Sequence, residues 1–441
     1  MNARPALSLR GALRRSNSGG VANKGARLLR LARNDRGKPP SLSLLAAVTA
    51  LAFCALHIVV PVLPLLVGAF GDPARVQLVL TLYLAGIAGG QLVYGPLSDR
   101  FGRRPVLIAG LVLFLVGTVV CGLAWSLASL IFGRVLEGCG ACAGIVLGRA
   151  IIRDVYEREA AARGLAIVMM AMTLAPAISP AIGAYLALWA DWQAIFALLG
   201  ILGAIVLLLT VTRLAETNSN PTGLDVAGMA GAYVTLMRSP QFVGFALCSA
   251  CTSASWFTFI ASAPHILSEA LGEPPSTYGL MILLPMATYM LGNAAAACFA
   301  PRLGTRRLLI LGRGIALSAA VALALWYVYG GLGIWAVFLP IALCEIGDGL
   351  SQPAVLAAGL SIRPRLAGTA SGLMGFLQMT VAATGTFVVA LLPYQIAVSM
   401  IAVVGGFITL ALGFGIFALR RPRSGSMPDL PLLRLRREES R

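Results

Sequence analysis

A chain of 441 residues that is 58% hydrophobic and only 12% charged, with a mean hydropathy of +0.86, is far from the composition of a soluble domain, where about a quarter of residues are charged. A net charge of +17 would suit a nucleic-acid partner if the basic residues formed one patch, but they lie in tails and in alternate connections between apolar runs. That distribution belongs to a polytopic membrane protein whose basic loops stay in the cytoplasm.

In chain order, residues 1–41 come first as a basic, nearly acid-free tail. It has no apolar stretch of the secretory kind; a basic cytoplasmic tail touching anionic lipid or an overlong start assignment accounts for it better than a transit peptide. Twelve apolar segments follow, near 42–67, 76–96, 105–124, 128–149, 164–189, 192–212, 240–263, 277–299, 308–329, 332–354, 367–391 and 394–418. Each is long enough to cross roughly 30 Å of hydrocarbon. They divide into a six-helix bundle (42–213), a cytoplasmic linker (214–239) and a second six-helix bundle (240–418), before a second basic tail (419–441). Of the 34 Lys+Arg, only Arg75 falls in a loop on the outer side and only Arg134 well inside a span, so both termini are expected in the cytoplasm. No polar stretch is long enough to bury its own core, so no soluble catalytic domain and no enzyme activity is expected.

The first span holds His57, followed by Pro61 and Pro64. Two prolines free backbone carbonyls and kink the helix toward a cavity, which makes His57 a candidate proton relay, although a lone histidine on an apolar helix is more often a packing residue. After the second span comes Gly95-Pro96-Leu97-Ser98-Asp99-Arg100-Phe101-Gly102-Arg103-Arg104-Pro105, a polar hairpin between two apolar runs. Here Pro96 and Gly102 are expected to break helix, Asp99 to cap a helix N-terminus, and Arg100, Arg103 and Arg104 to hold the turn at the cytoplasmic face.

The fourth span places Arg134 and Glu137 one turn apart on a face rich in glycine, from Gly133 to Gly148. Charges at that depth are costly, so the two must face a wet cavity or each other. In the fifth span Pro176, Pro180 and Gly183 describe a bent helix whose small residues let it press against a partner in the other half and act as a gate. The linker carries the breaker Asn218-Ser219-Asn220-Pro221 and a surface helix near 224–237. A weakened copy of the hairpin, Arg302-Leu303-Gly304-Thr305-Arg306-Arg307, follows the first at an offset of 202 residues and marks two repeated halves. The tenth span holds Glu345 and Asp348 one turn apart, followed by Ser351 and Gln352. Two adjacent carboxylates in a low dielectric are hard to keep ionised together, as a proton carrier requires, and Glu345 is the deeper of the two.

The eight cysteines all fall in spans, and the pairs Cys139/Cys142 and Cys248/Cys251 have no histidine beside them, so they read as small buried hydrophobes and no metal is expected. No Gly-x-x-x-x-Gly-Lys-Ser/Thr phosphate loop occurs, so an ion gradient, with no cofactor, is the expected energy source.

The hairpin resembles the loop between the second and third helices of the major facilitator superfamily. The resemblance narrows to the drug:H+ antiporters of the Bcr/CflA group, named for bicyclomycin and chloramphenicol/florfenicol resistance. It rests on Arg134, on Arg149-Ala150-Ile151-Ile152-Arg153-Asp154, on the Pro176/Pro180/Gly183 helix, on Arg213-Leu214-Ala215-Glu216-Thr217 and on Ala261-Ser262-Ala263-Pro264. The resemblance implies an all-α fold of twelve transmembrane helices in two pseudo-symmetric six-helix bundles. It implies a cytoplasmic charge lock of Asp99 with Arg100 and the Arg149, Arg153 and Asp154 cluster, and a proton-linked Arg134. It also implies a plasma-membrane exporter of small amphipathic or apolar compounds from a bacterial cell, working as a monomer in exchange for protons. His57 stands where the group has an aspartate, Glu137 where it has an amide, and Ala184 where it has a second glycine after Pro180. An exporter of a sugar or other metabolite, and a membrane sensor that transports nothing, are the rival readings.

Overall fold

The computed structural model describes residues 41–156, 158–218, 226–363, 366–392 and 396–420. The two basic tails, the Asn220-Pro221 part of the linker and the side chain of Arg153 lie outside the described residues. Twelve helices are long and apolar enough to cross a membrane. The first bundle comprises α1 (Leu42–Phe70), α2 (Pro73–Phe101), α3 (Arg103–Gly122), α4 (Leu127–Val155), α5 (Arg158–Trp189) and α6 (Gln193–Arg213). A linker helix, α7 (Val226–Met237), leads to α8 (Pro240–Ala270), α9 (Pro275–Ala300), α10 (Arg302–Gly330), α11 (Ile334–Ser361), α12 (Ala367–Leu391) and α13 (Ile396–Arg420). The linker helix is described from Val226 to Met237, and residues 224–225 of the span expected from sequence lie outside the described residues.

Local chemistry explains where these helices start and bend. Ser41 and Asp72 accept the first N–H groups of α1 and α2, as capping residues do. Pro61 cannot donate to the His57 carbonyl, and α1 changes there from α-helix (Leu42–His57) through a 3-10 turn (Val60–Val62) to a second α-helical piece (Leu63–Phe70). Pro96 behaves differently from the sequence expectation: α2 runs through it to Phe101, and Gly102 alone ends the helix, at φ 96°. One missing donor bends a long packed helix without stopping it, whereas the left-handed conformation stops it outright. Gly304, at the repeat offset in the second half, also has positive φ, 68°, and separates α9 from α10.

Glycines set the helix spacing in both bundles. A Cβ on Gly110 of α3 would fall on Ala143 of α4, and one on Gly312 of α10 would fall on the Gly347 carbonyl of α11. Without a hydrophobic drive between helices in lipid, such close backbone approach is what holds a bundle together.

The bundles meet chiefly along α2 and α12, where the Thr81 and Thr386 hydroxyls are 2.7 Å apart. They also meet where α9 begins against α5. Here the structure corrects one expectation. Gly183 faces Ile58 of α1, in its own bundle, and the contact with the other half is made by Ala181, against Gly279 of α9. Replacing Gly183 with leucine drives a side chain into the Ile58 carbonyl, an overpacking that costs roughly 1–3 kcal/mol. A lowered thermal midpoint and stalled transport are expected, and wild-type stability of the variant would show that the α1–α5 contact yields freely.

Candidate functional site

Between the bundles lies a cavity of about 290 Å³, near the lower end of the range for small-molecule sites. The first bundle contributes Phe53 and His57 of α1 and Met172, Thr173 and Pro176 of α5. The second contributes Thr252, Trp256 and Phe257 of α8, Met286 and Tyr289 of α9, Glu345, Asp348 and Gln352 of α11, and Gln378 and Met379 of α12. The break in α1 presents His57 here, with its ring centroid 6.1 Å from that of Phe257 in the other bundle. Pro176 removes a backbone donor from the part of α5 that forms the wall.

One of the two acids at this cavity, Asp348, pairs with an arginine. Arg313 of α10 is fully buried, and its Nη2 lies 2.9 Å from Asp348 Oδ1 in an ion pair not aligned as a hydrogen bond. The guanidinium donates instead to Ser351 Oγ, at 2.9 Å from Nε, and to Thr252 Oγ1, at 2.5 Å from Nη1. Asp348 is thus buried and charge-paired, not solvated near a loop. Glu345 lines the same cavity and has no ion-pair partner of its own among the described residues. Sequence counting placed Arg313 among the end charges because its apolar segment starts at 308. The regular helix runs on from Gly304, so Arg313 lies about 13 Å along it and is fully buried. The signal available in sequence was a basic residue inside a helix whose true start is the positive-φ glycine region.

Arg134 and Glu137 lie elsewhere. Both are fully buried, 2.5 Å apart, and neither lines the cavity. Arg134 donates to the Ala55 and Val79 carbonyls, at 3.2 and 3.3 Å, and sits 4.0 Å above the Tyr83 ring. Thr118 donates to Glu137 at 3.0 Å. The pair ties α4 to α1, α2 and α3, so the two charges face each other and not water.

The hairpin charges are also arranged differently from the expectation. Asp99 is in the last turn of α2, not at a helix start, and pairs with Arg103 at 2.6 Å; Arg103 reaches Asp154 of α4 at 2.8 Å. Arg100 stacks 5.0 Å from the Phe101 ring instead, and Arg149 donates to the Ile145 carbonyl. Capping of α3 falls to Glu216, whose carboxylate accepts the backbone N–H of Arg103 (2.9 Å), Arg104 (3.1 Å), Thr217 (2.9 Å) and Asn218 (2.8 Å). Arg104 donates to the Val211 carbonyl of α6 at 2.8 Å. One acid therefore clamps the chain leaving α6 to the α2–α3 turn, a role visible in sequence only as a motif after the sixth span. Asp99, Arg103 and Arg149 line a second cavity, about 410 Å³, together with Tyr233 of α7 and Gly372 of α12.

This architecture has known counterparts. The chain is 30% identical over 381 residues to the chloramphenicol resistance protein of Pseudomonas aeruginosa, covering 84% of this chain and 88% of that protein. It is 29% identical over 322 residues to multidrug resistance protein D of Escherichia coli, covering 71% and 80% respectively. Among solved structures, a bacterial homolog of the human lysosomal transporter Spinster, inward-facing and occupied, superposes with a TM-score of 0.70 at 17% identity, over 88% of this chain and 98% of that one. The family model of the Major Facilitator Superfamily matches residues 45–386. With twelve spanning helices in two repeated bundles around a shared cavity, the chain belongs to the major facilitator superfamily, a family of membrane transporters.

Proposed function

We propose that the chain exports small amphipathic or apolar compounds by alternating access, in exchange for protons. The observation that carries this reading is the shared cavity, in which an apolar wall of methionines and aromatics surrounds two acids, one of them paired with the buried Arg313. With Arg313 paired to Asp348 and Glu345 left without an ion-pair partner among the described residues, the cluster holds one negative charge in excess, which a proton or a cationic substrate neutralises. The resistance names of the relatives support drug-like cargo. Each proton moving down about 100 mV supplies roughly 2.3 kcal/mol, enough for nearly two decades of concentration ratio for a neutral compound.

In this reading the hairpin end, with Asp99, Arg103 and the linker, faces the cytoplasm of a bacterial cell, and the protein works as a monomer in the inner membrane. The end where α5 meets α9 faces outward and is closed, with Thr81 and Thr386 bonded on the seam. No cofactor takes part. The deciding experiment follows accumulation of several unrelated labelled compounds, chloramphenicol among them, in cells with and without the protein and with and without an uncoupler. Expulsion that survives the uncoupler would sink proton exchange, and no expulsion at all would sink export.

Asp99 orders the hairpin through Arg103, which also holds Asp154. Asp99→Asn should reduce export at least several-fold at unchanged membrane abundance, because an exposed ion pair adds only about 0–1 kcal/mol of stability. Full export by that variant would remove the hairpin from the transport cycle.

A further inference from the structure

Two side chains lining the central cavity each carry a buried hydrogen-bond acceptor with no donor among the described residues. His57 Nδ1 lies 2.9 Å from the Phe53 carbonyl oxygen. A carbonyl only accepts, so Nδ1 carries a proton, and in the neutral tautomer Nε2 of this cavity-lining residue is a bare lone pair. That nitrogen has no partner, and His57 is 2% exposed. In the other bundle, Gln352 donates from Nε2 to Ser249 Oγ at 2.7 Å, which leaves its Oε1 buried and unpaired in a side chain 7% exposed. Gln378 donates to the same hydroxyl at 2.6 Å, fixing Ser249 as the common acceptor. Glu345 adds a carboxylate to the wall.

Two nearby donors, Arg313 and Thr252, are engaged elsewhere. Arg313 is directed to Ser351, Thr252 and Asp348, and the Thr252 hydroxyl donates to the Cys248 carbonyl at 2.9 Å. A buried acceptor without a donor is destabilising, and the occupant that relieves this set must bring both N–H or O–H groups and positive charge. The remaining wall, with Trp256, Phe257, Met172 and Met286, accommodates an apolar body and attracts a cation to its aromatic faces.

We propose that this cavity selects amphipathic ammonium compounds that keep at least one N–H bond, with the N–H groups donating to Gln352 Oε1 and His57 Nε2 on opposite bundles and the charge facing Glu345. The inference deepens the efflux reading and rests on it for calling the occupant a substrate. Recognition of N–H, beyond recognition of charge, separates this site from one that takes any lipophilic cation. Because the two acceptors belong to different bundles, such a ligand bridges them.

The test is calorimetric binding to the full chain in lipid nanodiscs, using phenylbutylamine, its N,N-dimethyl and N,N,N-trimethyl analogues, and phenylbutanol. The amine is expected to bind at least about tenfold tighter than the trimethyl analogue, because one charge-assisted hydrogen bond is worth at least that ratio. The dimethyl analogue keeps one N–H and most of the added bulk, so it should fall nearer the amine; the neutral alcohol should bind more weakly than the amine. Gln352→Leu and His57→Phe should each reduce the amine-to-trimethyl ratio to about threefold or less, while monodisperse elution and a thermal midpoint like the wild type's report intact folding. Equal binding of amine and trimethyl analogue by the wild type, a ratio that survives both substitutions, or no binding of the amine would overturn the proposal. Uncoupler-sensitive export of chloramphenicol, measured in parallel, isolates the efflux reading. Export without the N–H preference overturns this inference alone, and the preference without export leaves the recognition in place while removing efflux.

Discussion

Replacing Arg313 with methionine is expected to be among the most damaging single changes in the second bundle. It leaves Asp348, 2% exposed and held by no other basic side chain among the described residues, as an uncompensated buried charge. It also strips the hydrogen bonds that Ser351 and Thr252 accept. Breaking a buried pair from one side costs about 3–5 kcal/mol, a large share of the stability of a folded protein. The yield of monodisperse protein in detergent should fall several-fold and the thermal midpoint should drop. Removing both charges together, Arg313→Met with Asp348→Leu, should restore much of the loss, since an apolar pair of similar volume replaces a buried ion pair at little or no cost. A single variant as abundant and as heat-resistant as the wild type would mean that water reaches Asp348 and that the pair is not a structural element.

Glu345→Gln is expected to abolish coupling while leaving the fold intact. Glu345 is the cavity acid that Arg313 does not contact, so its carboxylate is free to exchange a proton as the cavity changes access. In proteoliposomes, export driven by an imposed pH gradient should fall at least about tenfold, and the proton released when a neutral substrate is added should disappear, while binding of that substrate changes little. Glu137→Gln offers the contrast. Glu137 is sealed against Arg134 and Thr118 and does not line the cavity, so its removal should lower stability and preserve proton release. If Glu137→Gln loses proton release and Glu345→Gln keeps it, coupling runs through the first bundle and the assignment to the cavity is wrong. In the same assay, acid is placed on the side corresponding to the cell exterior, and substrate should move against the protons; movement with them would make the chain an uptake symporter.

The number of spanning helices, their approximate ends and the division into two repeated halves were legible in the amino-acid order, because hydropathy over about 20 residues is a local property that lipid reads directly. So were the hairpin, the prolines inside the fifth helix and the burial of Arg134, Glu137 and Glu345, since each is a short pattern on one element. What the tertiary structure alone decided is which of these groups meet. Whether a charged side chain faces a cavity, a neighbour or lipid depends on the rotation and depth of its helix, and those are set by contacts with helices far away in the chain. Arg313 finds Asp348 across two helices, Asp99 finds Arg103 across a glycine turn, and Glu216 reaches back over more than a hundred residues to cap α3. Glu137, as deep as Glu345 by sequence, is turned away from the cavity toward Arg134. The bare acceptors of His57 and Gln352 follow from hydrogen bonds to Phe53 and Ser249, and the second of these crosses between helices whose relative placement no local pattern encodes.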